Sequence, residues 1–387
     1  MEYISESTKN YPRSGIRVMF DLAAKYPNAI NLSVGEPNFE TPDHIKGAAI
    51  DAINRGETKY NPNAGLYELR QAIADRYTKK FNYKYEPENV MVAVGGMEAI
   101  FLALATIVNY GDEIIIPDPA YPNYCGTVNI LGGKIVRVPL YEEYGFKLQP
   151  EDLEKVITPK TKALILNYPT NPLGAILDKY DVEKIAQVIK KHDIMVISDE
   201  VYDSIIYDGN VHYSISQVDD VKKQVLIINS MSKTYAMTGW RVGYILGDKK
   251  IIGEMPKLQE GICSCLPPFI QKAAVAALKG PQDCVEEMAA HYKRRRDILV
   301  NGLNSINGFK CLESGGSFYA FANIKHFGKT SEEFAIEILK EAGVVCVPGS
   351  AFGQMGEGYI RFSFANSDEN LIEAVRRIKK YVEENYR

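Results

Sequence analysis

Between about Glu57 and Ile252 the chain repeats one pattern: a short apolar run, a Gly, Pro or Asn, then a segment with helical spacing. The runs are VMVAV (90–94), EIIIP (113–117), KIVRVPL (134–140), KALILN (162–167), IMVIS (194–198), VLIIN (225–229) and VGYIL (242–246). They are apolar almost throughout rather than at alternate positions, which is the mark of strands buried on both faces. Of the segments between them, MEAIFLALATIV reads as an apolar helix, and DVEKIAQVIKKHD puts Val182, Ile185, Ala186 and Ile189 on one helical face. Buried strands separated by helices predict an α/β fold with a mostly parallel sheet covered by helices.

The texture changes after Pro267-Pro268. Two helical segments follow, FIQKAAVAALKG and the charged DCVEEMAAHYKRRRDILVNGLNSI, then shorter strand-like runs at 317–324, 344–349 and 359–365, and a closing helix. A chain of 387 residues exceeds one simple core. We expect a large domain over 46–280, a small α+β domain over 281–387, and an extended segment over 1–45 that joins the small domain.

In an open α/β sheet, ligands sit beyond the carboxyl ends of the strands. The residues just after the runs are Gly95 and Gly96, then Asn167, Tyr168 and Asn171, then Asp199, Glu200 and Tyr202, and finally Ser230, Ser232 and Lys233. These are an anion-binding turn opening a helix, an amide, a carboxylate, and a lysine beside two hydroxyls. A phosphorylated cofactor with a ring nitrogen, a phenolic oxygen and an aldehyde uses all of them, so the constellation points to pyridoxal 5′-phosphate (PLP). Lys233 then holds the aldehyde while Ser230, Ser232 and Arg241 gather the phosphate.

Nine separated motifs, from SVGEPNFETPDHI through KYNPNAGLYELRQAIA, VAVGGMEAIFLAL, PDPAYPNY, NYPTNPLG, ISDEVYDSIIYDG and NSMSKTYAMTGWRVGY to PGSAFG and YIRFSFA, run in one order along the chain. By these the sequence resembles the class I aminotransferases of PLP fold type I, in the prokaryotic branch that includes aspartate, aromatic and alanine-type enzymes. The resemblance implies that Lys233 is the Schiff-base lysine and general base, and that Asp199 keeps the pyridine nitrogen protonated. It implies that Asn171 and Tyr202 donate to the phenolic oxygen, that Gly96 and Met97 offer backbone N–H groups to the phosphate, and that Tyr121 stacks on the ring. Arg361 would grip the substrate α-carboxylate beside Asn171, and Gly35 would lie in the loop that closes over it. Tyr60 would reach the phosphate of a neighbouring subunit, which implies a homodimer with shared sites.

Two departures bear on function. Leu173 stands where the family often has threonine, with Asn171 and Gly174 retained. Met97 stands where enzymes dedicated to dicarboxylic substrates can carry lysine, which favours aromatic or broad specificity over strict aspartate. Arg17 is a spare cation whose plainer reading is a surface residue. The expected activity is transfer of an amino group from an L-amino acid to a 2-oxo acid, with 2-oxoglutarate as acceptor. A PLP-dependent carbon–sulfur β-lyase would use the same lysine, aspartate and arginine; the other alternative is a non-catalytic regulatory protein on the same fold, against which the intact Lys233, Asp199 and Arg361 argue.

Net charge is −4, so nothing favours nucleic acid or an anionic membrane as partner. The six cysteines include no C-x-x-C pair and the five histidines no H-x-x-x-H spacing, so no metal site is expected. No run approaches a membrane span and the first residues lack the apolar core of a signal peptide; the expected location is the cytoplasm.

Overall fold

The computed structural model describes residues 3–9 and 15–386, without the side chains of Glu6, Ser7, Ile16 and Arg17. The expectation for Arg17 therefore lies outside the described residues. A short first strand, β1 (Ile30–Asn31), precedes the seven that the apolar runs form: β2 (Val90–Ala93), β3 (Glu113–Asp118), β4 (Lys134–Pro139), β5 (Thr161–Asn167), β6 (Met195–Asp199), β7 (Val225–Ser230) and β8 (Gly243–Leu246). These seven make one sheet in the order β2-β8-β7-β6-β5-β3-β4. Pairing is parallel from β7 through β4, and β8 alone runs antiparallel to its neighbours. The expected mostly parallel α/β sheet is the one found.

Because side chains alternate across a strand, each run feeds two cores. Val90 and Val92 join Leu164, Leu166 and Val196 on one face, while Met91 and Ala93 join Ala163, Ile165 and Ile197 on the other. Full burial of an aliphatic side chain contributes roughly 1.5–3 kcal/mol, so this two-sided burial fixes the register. Helix Gly95–Ile107 covers the second face, and helix Lys179–His192 covers the first. The latter begins at Lys179, three residues before Val182, the first of its apolar pattern, because Asp178 caps it, accepting from the Asp181 N–H at 3.0 Å.

The remaining strands are β9 (Lys310–Cys311), β10 (Tyr319–Asn323), β11 (Val344–Val345), β12 (Val347–Pro348) and β13 (Tyr359–Ser363). An antiparallel sheet in the order β12-β13-β10-β9 packs against helices Asp283–Asn304 and Asp368–Asn385, around a core that includes Leu299, Phe318, Phe334, Phe362 and Leu371. The run at 344–349 reads as one strand in sequence and is two in space. It breaks at Cys346, so that β11 pairs parallel with β1 while β12 pairs with β13. Apolar content is the same in both halves; only the partner differs. A second local difference is helix Gly15–Ala23, which stands where the sequence reads as extended. Its nine residues are too few for the periodicity to stand out beside Gly15 and the prolines around it.

Chain order reverses between β3 and β5: from β3 the chain runs outward to β4, then returns to lay down β5, β6 and β7 on the other side. A crevice opens at such a reversal, outside the carboxyl ends of the strands.

Candidate active site

A cavity of about 600 Å³ lies at that crevice. Gly96, Met97, Tyr121, Asn171, Asp199, Tyr202, Ser230, Ser232, Lys233, Arg241, Arg361 and Gly35 all line it. Of the residues expected in the site, Tyr60 is not brought there: it is 90% exposed, next to Asn61, whose side chain donates to the Leu266 carbonyl at 2.8 Å.

Strand alternation separates two adjacent carboxylates. Asp199 ends β6 facing the cavity, where its Oδ2 accepts from the Tyr124 hydroxyl at 2.5 Å. Glu200 turns the other way, accepting from the Ser198 hydroxyl at 2.8 Å and pairing with His212 Nε2 at 2.9 Å. The Asp199 carboxyl is pushed up to about 6, chiefly because burial takes it out of water. It is a carboxylate short of a cation.

Lys233 sits on the turn Met231–Thr234 that follows β7, capped by Ser230, whose hydroxyl accepts from the Ser232 N–H at 3.1 Å. The Lys233 amine donates to the Gly35 carbonyl at 2.6 Å. Burial pushes its pKa down to about 8, with Arg241 and Arg361 adding to that and Glu36 and Asp199 opposing it. An amine of this kind is partly neutral near physiological pH, as a nucleophile and base requires.

Arg361 projects from β13 and is 1% exposed. Its guanidinium lies over the rings of Tyr319 and Phe352, 4.5 and 4.9 Å from their centroids. Nη1 donates to Asn171 Oδ1 at 3.0 Å and Nη2 to the Ser33 carbonyl, while Nε is buried with no partner. A buried guanidinium with neutral acceptors and one idle donor is a site for a planar anion. Tyr202 meets Tyr319 hydroxyl to hydroxyl at 3.0 Å just beside it.

The phosphate end is built from close backbone. Gly95 has φ +78°, and a Cβ there would stand 2.3 Å from Arg241 Nη2. A Cβ on Gly243 would meet the Gly95 carbonyl carbon at 2.4 Å. The guanidinium of Arg241 is thereby held against the start of helix Gly95–Ile107, whose first N–H groups lack intrahelical acceptors. Anion cradle, lysine, underpaired buried carboxylate and idle guanidinium donor are together in one cavity. The residues present fit PLP and a carboxylate-bearing substrate.

Sequence reading missed several contributors. Tyr124 is three residues beyond Tyr121 on the same turn, a spacing that could have found it. Asn167, noted only as a strand-end amide, ties two site residues together: it donates to the Asp199 carbonyl at 2.9 Å and accepts from the Asn171 N–H at 3.0 Å. Tyr319 and Phe352 carry no local signal among so many aromatics.

Comparison with known proteins agrees with this geometry. The family model for aminotransferase class I and II matches residues 27–378. The chain is 44% identical to aromatic-amino-acid aminotransferase 2 of Thermococcus litoralis, and 45% identical to aspartate aminotransferase of Pyrococcus abyssi. Each match covers 96% of both chains. Among solved structures it is similar to an aromatic aminotransferase from Pyrococcus horikoshii OT3, with a TM-score of 0.90 and 43% identity over 95% of this chain and 99% of that one.

Proposed function

The chain belongs to the class I and II aminotransferases and is a PLP-dependent transaminase, and on that premise we propose that its donor is an L-amino acid with an aromatic or other apolar side chain. Its acceptor is a 2-oxo acid, with 2-oxoglutarate the first to test. Relatives of nearly equal identity are named for aromatic and for aspartate substrates, so likeness alone does not choose between them. The observation that carries the choice is the cation count of the cavity. Among the described residues its cations are Lys233, Arg241 and Arg361, and each has a task already. Phe20, Val34, Met97 and Ile100 supply apolar lining instead.

Bound PLP supplies a cationic ring that takes up the electrons released at the substrate Cα. Asp199 would hold the proton on the ring nitrogen, and its buried carboxylate would gain the cation it lacks. Asn171 and Tyr202 would donate to the phenolic oxygen. Gly96, Met97, Ser230, Ser232 and Arg241 would hold the phosphate, and Tyr121 would pack on the ring. Arg361 binds the α-carboxylate through Nε and a neighbouring N–H, with Asn171 alongside, so the Cα–H bond is presented to Lys233. The Lys233 amine would take that proton from Cα and deliver it to C4′, the cofactor's former aldehyde carbon. Gly35 and its neighbours cover the site against water.

The exposure of Tyr60 away from its own cavity supports a homodimer in which it reaches the other subunit's phosphate; sedimentation of the holoenzyme as a monomer would overturn this. The β1–β11 pairing supports grouping residues 1–45 with a small domain over 281–387, beside a large PLP-binding domain over 46–280. Among the described residues no helix is long and apolar enough to cross a membrane, no His, Cys, Asp or Glu cluster could hold a metal, and the six cysteines are free. The free thiols favour a cytoplasmic location. The relatives compared are named aminotransferases, and neither a β-lyase nor a regulatory role is carried forward.

The test is a titration of the PLP-loaded protein with a panel of L-amino acids, without any oxo acid. Loss of the cofactor's visible absorbance should be most efficient with phenylalanine, tyrosine and other apolar donors. Preference for aspartate would overturn the substrate assignment. Steady release of pyruvate from cysteine would overturn the transaminase mechanism.

A further inference from the structure

Asp118, the last residue of β3, has no part in the chemistry above, yet it is 4% exposed and stands at the junction of the two main sheets. Its Oδ2 accepts from the Gln354 N–H at 3.1 Å and its Oδ1 from the Met355 N–H at 3.2 Å. Two residues on, the Ala120 N–H donates to the Phe352 carbonyl at 2.9 Å. The end of β3 therefore grips the loop 349–356 at three backbone groups. Gly353 is shaped to this contact: its φ is +136°, and a Cβ there would stand 1.9 Å from Asp118 Oδ1. The gripped loop carries Phe352, whose ring lies against the Arg361 guanidinium, and it continues from β12, which pairs with β13 at Val347 opposite Arg361. A buried carboxylate that accepts from two backbone N–H groups, with the Arg137 guanidinium near enough to favour its charge, is a costly way to join two sheets. An apolar contact would do so at less cost, but would not set the loop to a fraction of an ångström.

We propose that Asp118 is a positioning residue for substrate carboxylate capture: it latches the 349–356 loop to the large sheet and so holds Phe352 where it orients the Arg361 guanidinium. The proposal rests on the assignment of Arg361 to the α-carboxylate, and it concerns orientation only. The Asp118 carboxylate accepts from Gln354 and Met355 and makes no hydrogen bond to Lys233, Asp199 or the phosphate cradle. Its loss weakens binding of whatever carries a carboxylate and leaves cofactor binding and proton transfer in place. Asp118→Asn keeps the size of the side chain but sets an amide donor against one of the two N–H groups. Gly353→Ala attacks the same contact from the other side.

The experiment uses the holoenzyme and measures dissociation constants from the half-reaction. One ligand is its best L-amino acid donor; the other is the amine left when that donor's carboxyl group is removed. Asp118→Asn and Gly353→Ala should each weaken the amino acid about tenfold, leave the amine unchanged, and retain PLP; Arg361→Gln should do the same more strongly. Wild-type affinity for the amino acid in both latch variants, with weakening in Arg361→Gln, would overturn the latch and leave the role of Arg361 standing. Equal weakening of amino acid and amine would also overturn it, as general damage to the site. No effect in Arg361→Gln would overturn the assignment beneath it.

Discussion

The Lys233 amine meets the Gly35 carbonyl at 2.6 Å across 198 residues of chain. Two residues earlier in the same segment, the Ser33 carbonyl accepts from Arg361. One short stretch of lead-in thus touches both Lys233 and Arg361, the groups proposed to move the proton and to hold the carboxylate.

Lys233→Ala should lower turnover by at least about 10²–10⁴-fold, the usual contribution of a positioned general base. In the cofactor-free protein the same amine, held at about 8, should react with an acylating reagent with a midpoint near pH 8, before the exposed lysines. Because its folded value lies below its unfolded one, the stability it contributes rises with pH above about 8. Competitive labelling across pH 6–11 is the measurement. A midpoint shared with the surface lysines would show that the amine is not desolvated.

Asp199→Asn should separate stability from function. The carboxyl titrates at about 6 against an ordinary value near 3.8. The folded chain therefore binds the extra proton between these values, and stability falls as pH rises through that window. Above pH 6 the cofactor-free variant should be more stable than the parent by on the order of 1–3 kcal/mol, with the difference gone below about pH 4, while turnover collapses. Denaturant melts from pH 4 to 8 test this; equal stability at every pH would mean the buried charge is not strained.

Gly95→Ala should cost cofactor affinity. The position has φ +78° and lies against the Arg241 guanidinium, and a left-handed conformation alone costs an alanine roughly 1–2 kcal/mol. We expect at least about a tenfold higher dissociation constant for PLP. Gly47→Ala, where a Cβ meets nothing within 4 Å, serves as control. If both variants bind PLP like the parent, the cradle is elsewhere.

Tyr124→Phe removes the 2.5 Å donor to Asp199 but keeps the ring edge-on to Tyr121 at 5.5 Å. Without that donor the carboxyl is harder to ionise, so the acidic limb of the kcat/KM profile should move to higher pH. A hydrogen bond to a charged group contributes roughly 1.5–3 kcal/mol, so a loss of tenfold or more is expected. An unchanged limb would show that Tyr124 only packs.

The strands of the large sheet were legible because burial on both faces leaves an unbroken apolar run, and seven runs were found within a residue or two of their bounds. The strand-end residues were legible for a related reason: a polar group directly after such a run is delivered to one edge of the sheet. Lys233, Asp199, Asn171 and the Gly95-Gly96 turn are all of this kind. Arg361 was read from its motif alone, since one arginine in a strand of the small sheet has no local mark of burial. The helix at Gly15–Ala23 and the break at Cys346 were not read. The first is short, and the second depends on which strand lies alongside.

What the sequence by itself determined is therefore whatever depends on a residue's own neighbours in the chain. Periodicity, burial and the chemistry placed at each strand end are of that kind. Tertiary structure alone decided that Tyr124 donates to Asp199 and that His212 pairs with Glu200. It also decided that Tyr319 and Phe352 lie against Arg361, and that Asp118 grips a loop 236 residues away. The physical reason is that hydrogen bonds and ring contacts are short-ranged and directional, so their partners exist only once the sheets have been brought together.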